Sequence, residues 1–126
     1  MSTLKADTIQ STGGGAATLT KQHAAKAYCS IDGDSTVNES LNIASTTDNG
    51  NGDNTYTFSN AMGSATFAVS GMSKSDDNAG VRAAFMQFSA NNTSIATTFF
   101  RLTSQYDNTN VREAEFASTI AHGDLA

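Results

Sequence analysis

Large apolar side chains are scarce in this chain, and that scarcity limits its fold more than any other feature. Leu, Ile, Val and Phe together supply 21 of its 126 residues, below the fraction of about 20% at which disorder becomes a competing state. The formal net charge is only -5, so the other condition for disorder, strong self-repulsion, is missing. The chain is expected to fold, around a thin core. Its volume is made up by 17 Thr, 15 Ser, 11 Asn and 19 Ala, with 10 Gly and no Pro. Thr and the aromatics suit a pleated, half-buried surface, while Asn, Gly and Ser suit tight turns; the Leu, Glu and Lys that build long helices are lacking. An all-β domain follows. A small domain buries only about 60 to 70% of its unfolded surface, so one with so few bulky apolar residues gains by burying more against copies of itself.

Length and charge narrow the function classes. The chain has room for one ordinary domain. A pI near 4.6 and 7 Lys plus Arg argue against nucleic acid, whose phosphates demand a basic footprint. The start lacks a cationic segment followed by an apolar one, and no run approaches the roughly 20 apolar residues that cross a bilayer. The expectation is a soluble, unprocessed product of a cytoplasm, with no membrane partner. A single Cys29 leaves no partner for an internal disulfide.

Residues 1–22 read as an arm. Leu4 and Ala6 point one way while Lys5, Asp7 and Ile9 point the other, so neither face is uniformly apolar, and the glycine run Gly13 to Gly15 loosens any register. From Ala24 to Ile31, Ala25, Ala27, Cys29 and Ile31 share a face, which predicts the first strand of a domain over residues 23–126. A turn at Asp32 to Asp34 precedes a second strand over Glu39 to Thr46. The segment Thr47 to Asn54 holds two Asn-Gly pairs, strong hairpin signals because both residues tolerate positive φ. Its turn residues are Asp48, Asn49, Gly50, Gly52 and Asp53, and its return strand, Thr55 to Ser59, sends Tyr56 and Phe58 inward. Further strands are expected over Ala65 to Met72, Val81 to Ser89, Ile95 to Thr103 and Val111 to Ala121. In the last of these, the side bearing Val111, Glu113, Glu115, Ala117 and Thr119 is the polar one. The predicted core is Ile43, Phe58, Phe67, Val69, Phe85 and Phe100. Seven strands broken by Asn, Asp and Gly turns indicate an antiparallel β-sandwich, jelly-roll-like, with an extended N-terminal arm.

Residues able to carry chemistry are few. Asp32, Asp34 and the Asp48 to Asp53 turn resemble calcium loops on the surface, but the twelfth positions are Ile43 and Ser59 where an EF-hand needs a bidentate Glu. His23 and His122 have no Glu or Cys at ligand spacing, so no metal is expected. Cys29 sits on a small-residue face and reads as a buried thiol rather than a nucleophile. No Gly-x-Ser-x-Gly elbow exists, and Gly13 to Gly15 is not followed by the Gly-Lys-Ser/Thr of a phosphate loop. Glu113 and Glu115 read as a charged outer face rather than a glycosidase pair. No enzyme and no cofactor are expected. The Asp76 to Asn78 loop with Tyr106, Asn108 and Asn110 keeps open a host-surface glycan as ligand, since polar loops beside an aromatic suit sugars.

The opening Met1 to Gln10 (MSTLKADTIQ), with Ala17 to Thr20 and Gln22 to Tyr28, resembles the start of small virion structural and tail-fibre proteins of marine tailed bacteriophages. A segment of the type Ser-x-Thr-Asp-Asn-Gly-x-Gly-Asp-x-Thr-x-x-Phe-x-x-Ala-Met recurs in that family. Here Ser45, Thr47, Asp48, Asn49, Gly50, Gly52, Asp53, Thr55, Phe58, Ala61 and Met62 match it. The resemblance covers roughly half the chain and stops at Gly71. It implies a non-enzymatic virion component, commonly a homotrimer, with an N-terminal arm attaching to the particle; by position, Leu4, Lys5, Asp7, Ile9 and Leu19 would carry the attachment. The implied partners are sister copies and another virion protein, in the tail, the neck or the major capsid shell. Fibre proteins are usually much longer, so a short appendage or knob and a capsid decoration protein both stand as readings. The expected location is the virion, as a tail or neck appendage or on the capsid surface.

Overall fold

Strict alternation of small apolar and polar residues makes the first strand. In the computed structural model, β1 spans Ala27–Asp32, with Ala27, Cys29 and Ile31 buried and the residues between them only partly so. The structure describes residues 12–13, 25–75, 83–89, 93–105 and 111–125, with backbone alone at 75 and 83–85. The arm residues Leu4, Lys5, Asp7, Ile9 and Leu19 lie outside the described residues.

The chain continues through β2 (Val37–Leu41), β3 (Ile43–Asp48), β4 (Asp53–Phe58), β5 (Ala68–Ser75), β6 (Ala83–Phe88), β7 (Ile95–Ala96), β8 (Phe99–Gln105) and β9 (Ala114–His122), with no helix among the described residues. All pairings are antiparallel, and the hydrogen-bonded order is β2-β1-β9-β5-β6-β8-β4-β3, with β7 beside β8. This path folds over on itself, so that β2-β1-β9-β5 faces β6-β8-β4-β3: an antiparallel β-sandwich. β5, β6 and β8 follow one another, while β9 returns beside β5 and β4 lies beside β8. These are two overlapping Greek keys, the winding of a jelly-roll-like domain.

The two halves contribute unequal side chains to the interior. One supplies Ala27, Cys29, Ile31, Ala117, Thr119 and Ala121; the other supplies Tyr56, Phe58, Phe100 and Leu102, all buried. Tyr56 and Phe100 are cross-strand partners stacked at 4.9 Å, and Phe58 meets Phe67 edge-on at 5.3 Å and tilts against Phe100 at 5.4 Å. Such aromatic pairs add about 0.5 to 1.5 kcal/mol each beyond the area they bury. Small residues on the facing strands make room for the rings. Gly71 shows the tightness of this fit, since a Cβ there would stand 2.8 Å from Met86 Sδ.

Of the predicted core residues, Phe58, Phe67 and Phe100 are buried, and Ile43 and Val69 pack against them partly covered. Phe85 sits in β6 opposite Met72 and Gln105, and its side chain lies outside the described residues. Four expectations are corrected. The strand expected over Glu39 to Thr46 is two strands on opposite halves, because Asn42 adopts φ 56° and turns the corner between β2 and β3. The strand expected over Ile95 to Thr103 is a hairpin, with a turn at Thr97 and Thr98 between β7 and β8. The faces of the last strand are exchanged from Phe116 onward: Ala117 and Thr119 go inside while Phe116 and Ile120 are exposed, whereas Ala114 is buried and Glu115 exposed as expected, with a register irregularity between. Only small residues fit opposite the rings of Phe58 and Phe100. These divisions give nine strands among the described residues where seven were expected.

Candidate functional site

The hairpin between β3 and β4 is the most elaborate local structure. Gly50, Asn51 and Gly52 all have positive φ, at 96°, 43° and 67°, which explains why Gly and Asn stand there. Asn49 N–H donates to Asp53 O at 2.8 Å and Asp53 N–H to Gly50 O at 3.1 Å. The Asp48 carboxylate accepts from Gly50 N–H at 2.7 Å, and Asn49 Nδ2 donates to Thr55 Oγ1 at 2.9 Å. The tip, Asp48 to Asn51, is exposed, and its inner side is docked at Gly52. Gly52 is buried; its N–H donates to Glu113 Oε2 at 3.0 Å, and its carbonyl accepts from Ser104 N–H at 2.8 Å. A Cβ at Gly52 would lie 1.9 Å from Arg112 O, so the turn and the segment before β9 are fitted to each other through that missing side chain.

Asp53 holds the next layer. Its carboxylate accepts from Arg101 Nε and Nη2, both at 2.7 Å, and from Ser89 Oγ at 3.3 Å. The pair is largely covered, and the hydrogen bond to Asp53 is the main reason that the Arg101 guanidinium is held above its ordinary pKa. A cleft of about 270 Å³ lies alongside, lined by Gly50, Asn51, Asp53, Gln87, Ser89 and Thr103 among others.

The second turn uses its carboxylate in the same inward manner. Asp32 Oδ1 accepts from Asp34 N–H at 3.2 Å and from Thr36 N–H at 3.0 Å, and Ser35, at φ 59°, donates its hydroxyl to Asn54 Oδ1. Asp32 and Asp34 line an open cleft with Glu113 and Glu115. Two of these carboxylates have other partners, Glu113 on Gly52 N–H and Glu115 on Lys74. No group of three or more His, Cys, Asp or Glu side chains converges in metal-binding fashion among the described residues.

Cys29 is buried, and burial pushes its thiol up to about 11. At neutral pH it is protonated, and the thiolate that nucleophilic chemistry needs is disfavoured. The Tyr56 phenol lies in the same interior, and burial raises it well above the ordinary tyrosine value. No hydrogen-bond partner meets Tyr56 Oη or Thr119 Oγ1 among the described residues. His122 is exposed at the end of β9, and His23 is outside the described residues, as are Asp76 to Asn78, Tyr106, Asn108 and Asn110 of the expected glycan loops.

A surface that sequence reasoning missed lies on the outside of β2-β1-β9-β5. Leu41, Met72, Phe116 and Ile120 are all exposed there. The signal was present in the alternation of β9, but it was assigned to the wrong side. Comparison with protein-family models, with curated proteins and with solved structures gives no match to this chain.

Proposed function

We propose that the protein is a non-enzymatic structural component of a bacteriophage virion, a short appendage or knob that works by assembling with sister copies and with a neighbouring virion protein. The observation that carries this reading is the contrast between spent polar groups and an open apolar face. Asp32, Asp48, Asp53, Glu113 and Glu115 all bond within the chain. Leu41, Met72, Phe116 and Ile120 meanwhile stand exposed on one sheet. A surface of this kind suits contact with other protein. The sequence resemblance in residues 1–28 and 45–62 supplies the phage context.

The attachment arm, Leu4 to Thr20, is tested by deleting residues 1–22 and propagating phage that depend on the truncated copy. The expected product is soluble and β-rich but missing from purified particles. Incorporation at the wild-type level would place attachment elsewhere. Copy number in wild-type virions, read by quantitative mass spectrometry, separates two positions: about six to eighteen copies mean tail or neck, and hundreds mean decoration of the head.

A further inference from the structure

Strand pairing sets the outward residues of β2-β1-β9-β5 in rows. Leu41, Tyr28, Ile120 and Ser70 lie side by side; the next row is Glu39, Ser30, Ser118 and Met72, and the next holds Asp32, Phe116 and Lys74. Leu41 is 48% exposed, Ile120 42%, Phe116 43% and Met72 76%. A contiguous patch of this composition on one face of a small domain marks a contact surface.

The rows also show what fits it. Along each of three neighbouring strands a bulky outward residue is followed or preceded by Ser: Tyr28 then Ser30 on β1, Ser118 then Ile120 on β9, Ser70 then Met72 on β5. Consider two copies stacked face to face about a dyad that runs across the strands, between the first two rows. Each strand then lies over its own counterpart in the reverse direction. Tyr28 covers Ser30 of the second copy, Ile120 covers Ser118 and Met72 covers Ser70, and each contact occurs twice. Bulk meets a gap at these three, while at the β2 edge Leu41 falls over Glu39. At the ends of β1, Asp32, whose Oδ1 is already engaged by its own turn, falls over Lys26, so opposite charges face each other there. We infer that this face is where two copies of this chain pack together about a two-fold axis, an isologous contact in which one patch serves both partners.

Size predicts the strength of the contact. Four strands at roughly 4.8 Å and three rows at roughly 7 Å give a face of about 400 Å² per copy. Two such faces fall short of the 1,200 to 2,000 Å² typical of stable complexes. The dimer is therefore a reversible one, which high local concentration on a particle would hold together.

Sedimentation velocity on the full chain from about 1 µM to about 1 mM is expected to show a monomer–dimer equilibrium. Met72→Asp and Ile120→Asp should each weaken it at least tenfold while leaving the circular dichroism spectrum of the monomer unchanged; Met72→Asp, the more exposed of the two, should leave its Tm unchanged as well. Mild oxidation of a mixture of S118C and I120C copies should give more disulfide-linked heterodimer than either variant gives alone. A monomer over the whole range, as residues 1–24 folded across the face would produce, overturns the inference. So does a trimer, or an association that both substitutions leave intact. The inferred contact rests on the same open face as the proposed function; a monomer removes self-association through that face, while the virion role is read separately from incorporation into particles.

Discussion

Two interior residues carry most of the titration chemistry of the fold. Tyr56 Oη is buried without a hydrogen-bond partner among the described residues. An unsatisfied buried hydroxyl costs about 1 to 3 kcal/mol, while its ring keeps the stack on Phe100. Tyr56→Phe is therefore expected to stabilise the protein, by about 1 kcal/mol in urea denaturation; a loss of stability would mean that the hydroxyl has a partner. Cys29 gives a pH prediction with a definite sign. Its thiol is raised in the folded state to about 11 from an ordinary 9.0, so in that window the unfolded chain has released a proton that the folded chain keeps. Stability is then fully present below pH 9 and falls as pH rises toward 11, and the raised Tyr56 phenol continues the fall beyond it. Cys29→Ala should remove about one proton from the slope of unfolding free energy against pH between 9 and 11. An unchanged slope would show that the thiol ionises normally in the fold.

At the scale of the strand, the part of the fold carried by local alternation was legible and the part decided by distant neighbours was not. The inward sets Ala27, Cys29, Ile31 and Tyr56, Phe58 follow directly from period-two patterning, and the hairpin at 48–53 follows from Asn-Gly chemistry. β9 defied the same reading because Phe116 and Ile120 look like core residues. The interior takes small residues from this half, Ala117 and Thr119 among them, where the other half carries Tyr56, Phe58 and Phe100. The docking of Gly52 on Glu113 joins residues 61 positions apart, beyond anything spacing can report. Asn42 was equally hidden, since Leu41 and Ile43 keep their alternation across it. It is bound tightly where it turns: its carboxamide oxygen accepts from Asn60 N–H at 2.7 Å, its Nδ2 donates to Asn60 O at 3.0 Å, and its carbonyl accepts from Ser59 N–H at 3.1 Å. Asn42→Ala loses the side-chain bonds and the tolerance of left-handed backbone that a short carboxamide side chain gives, together a cost of about 2 to 3 kcal/mol. Asn42→Gly, which keeps the backbone freedom, should lose less; equal losses would remove the conformational part of this explanation.

For the molecule as a whole, sequence-distant pairing dominates. β1 lies against β9, and β4 against β8, so folding must close long loops before most contacts form. Proteins of this topology fold in about milliseconds to seconds. With no Pro in the chain, the phase of tens of seconds caused by prolyl isomerisation should be absent. Stopped-flow refolding followed by tyrosine fluorescence is expected to finish within seconds and to ignore added prolyl isomerase; a slow phase accelerated by the isomerase would contradict this.

The corner at Asn42 has a consequence for assembly. β2 and β3 terminate the hydrogen-bonded order, yet they are successive in the chain and meet at that single residue, and further along Thr46 Oγ1 donates to Ser35 O at 2.8 Å. The two margins of the sheet are thus joined through the chain at Asn42, with one side-chain bond between β3 and the segment that leads into β2. Exposed margins invite strand after strand to add without limit, the route to fibrils. Margins of five and six residues that end at one corner offer newcomers a short template, so copies that adhere through their flat sides are not expected to polymerise without limit.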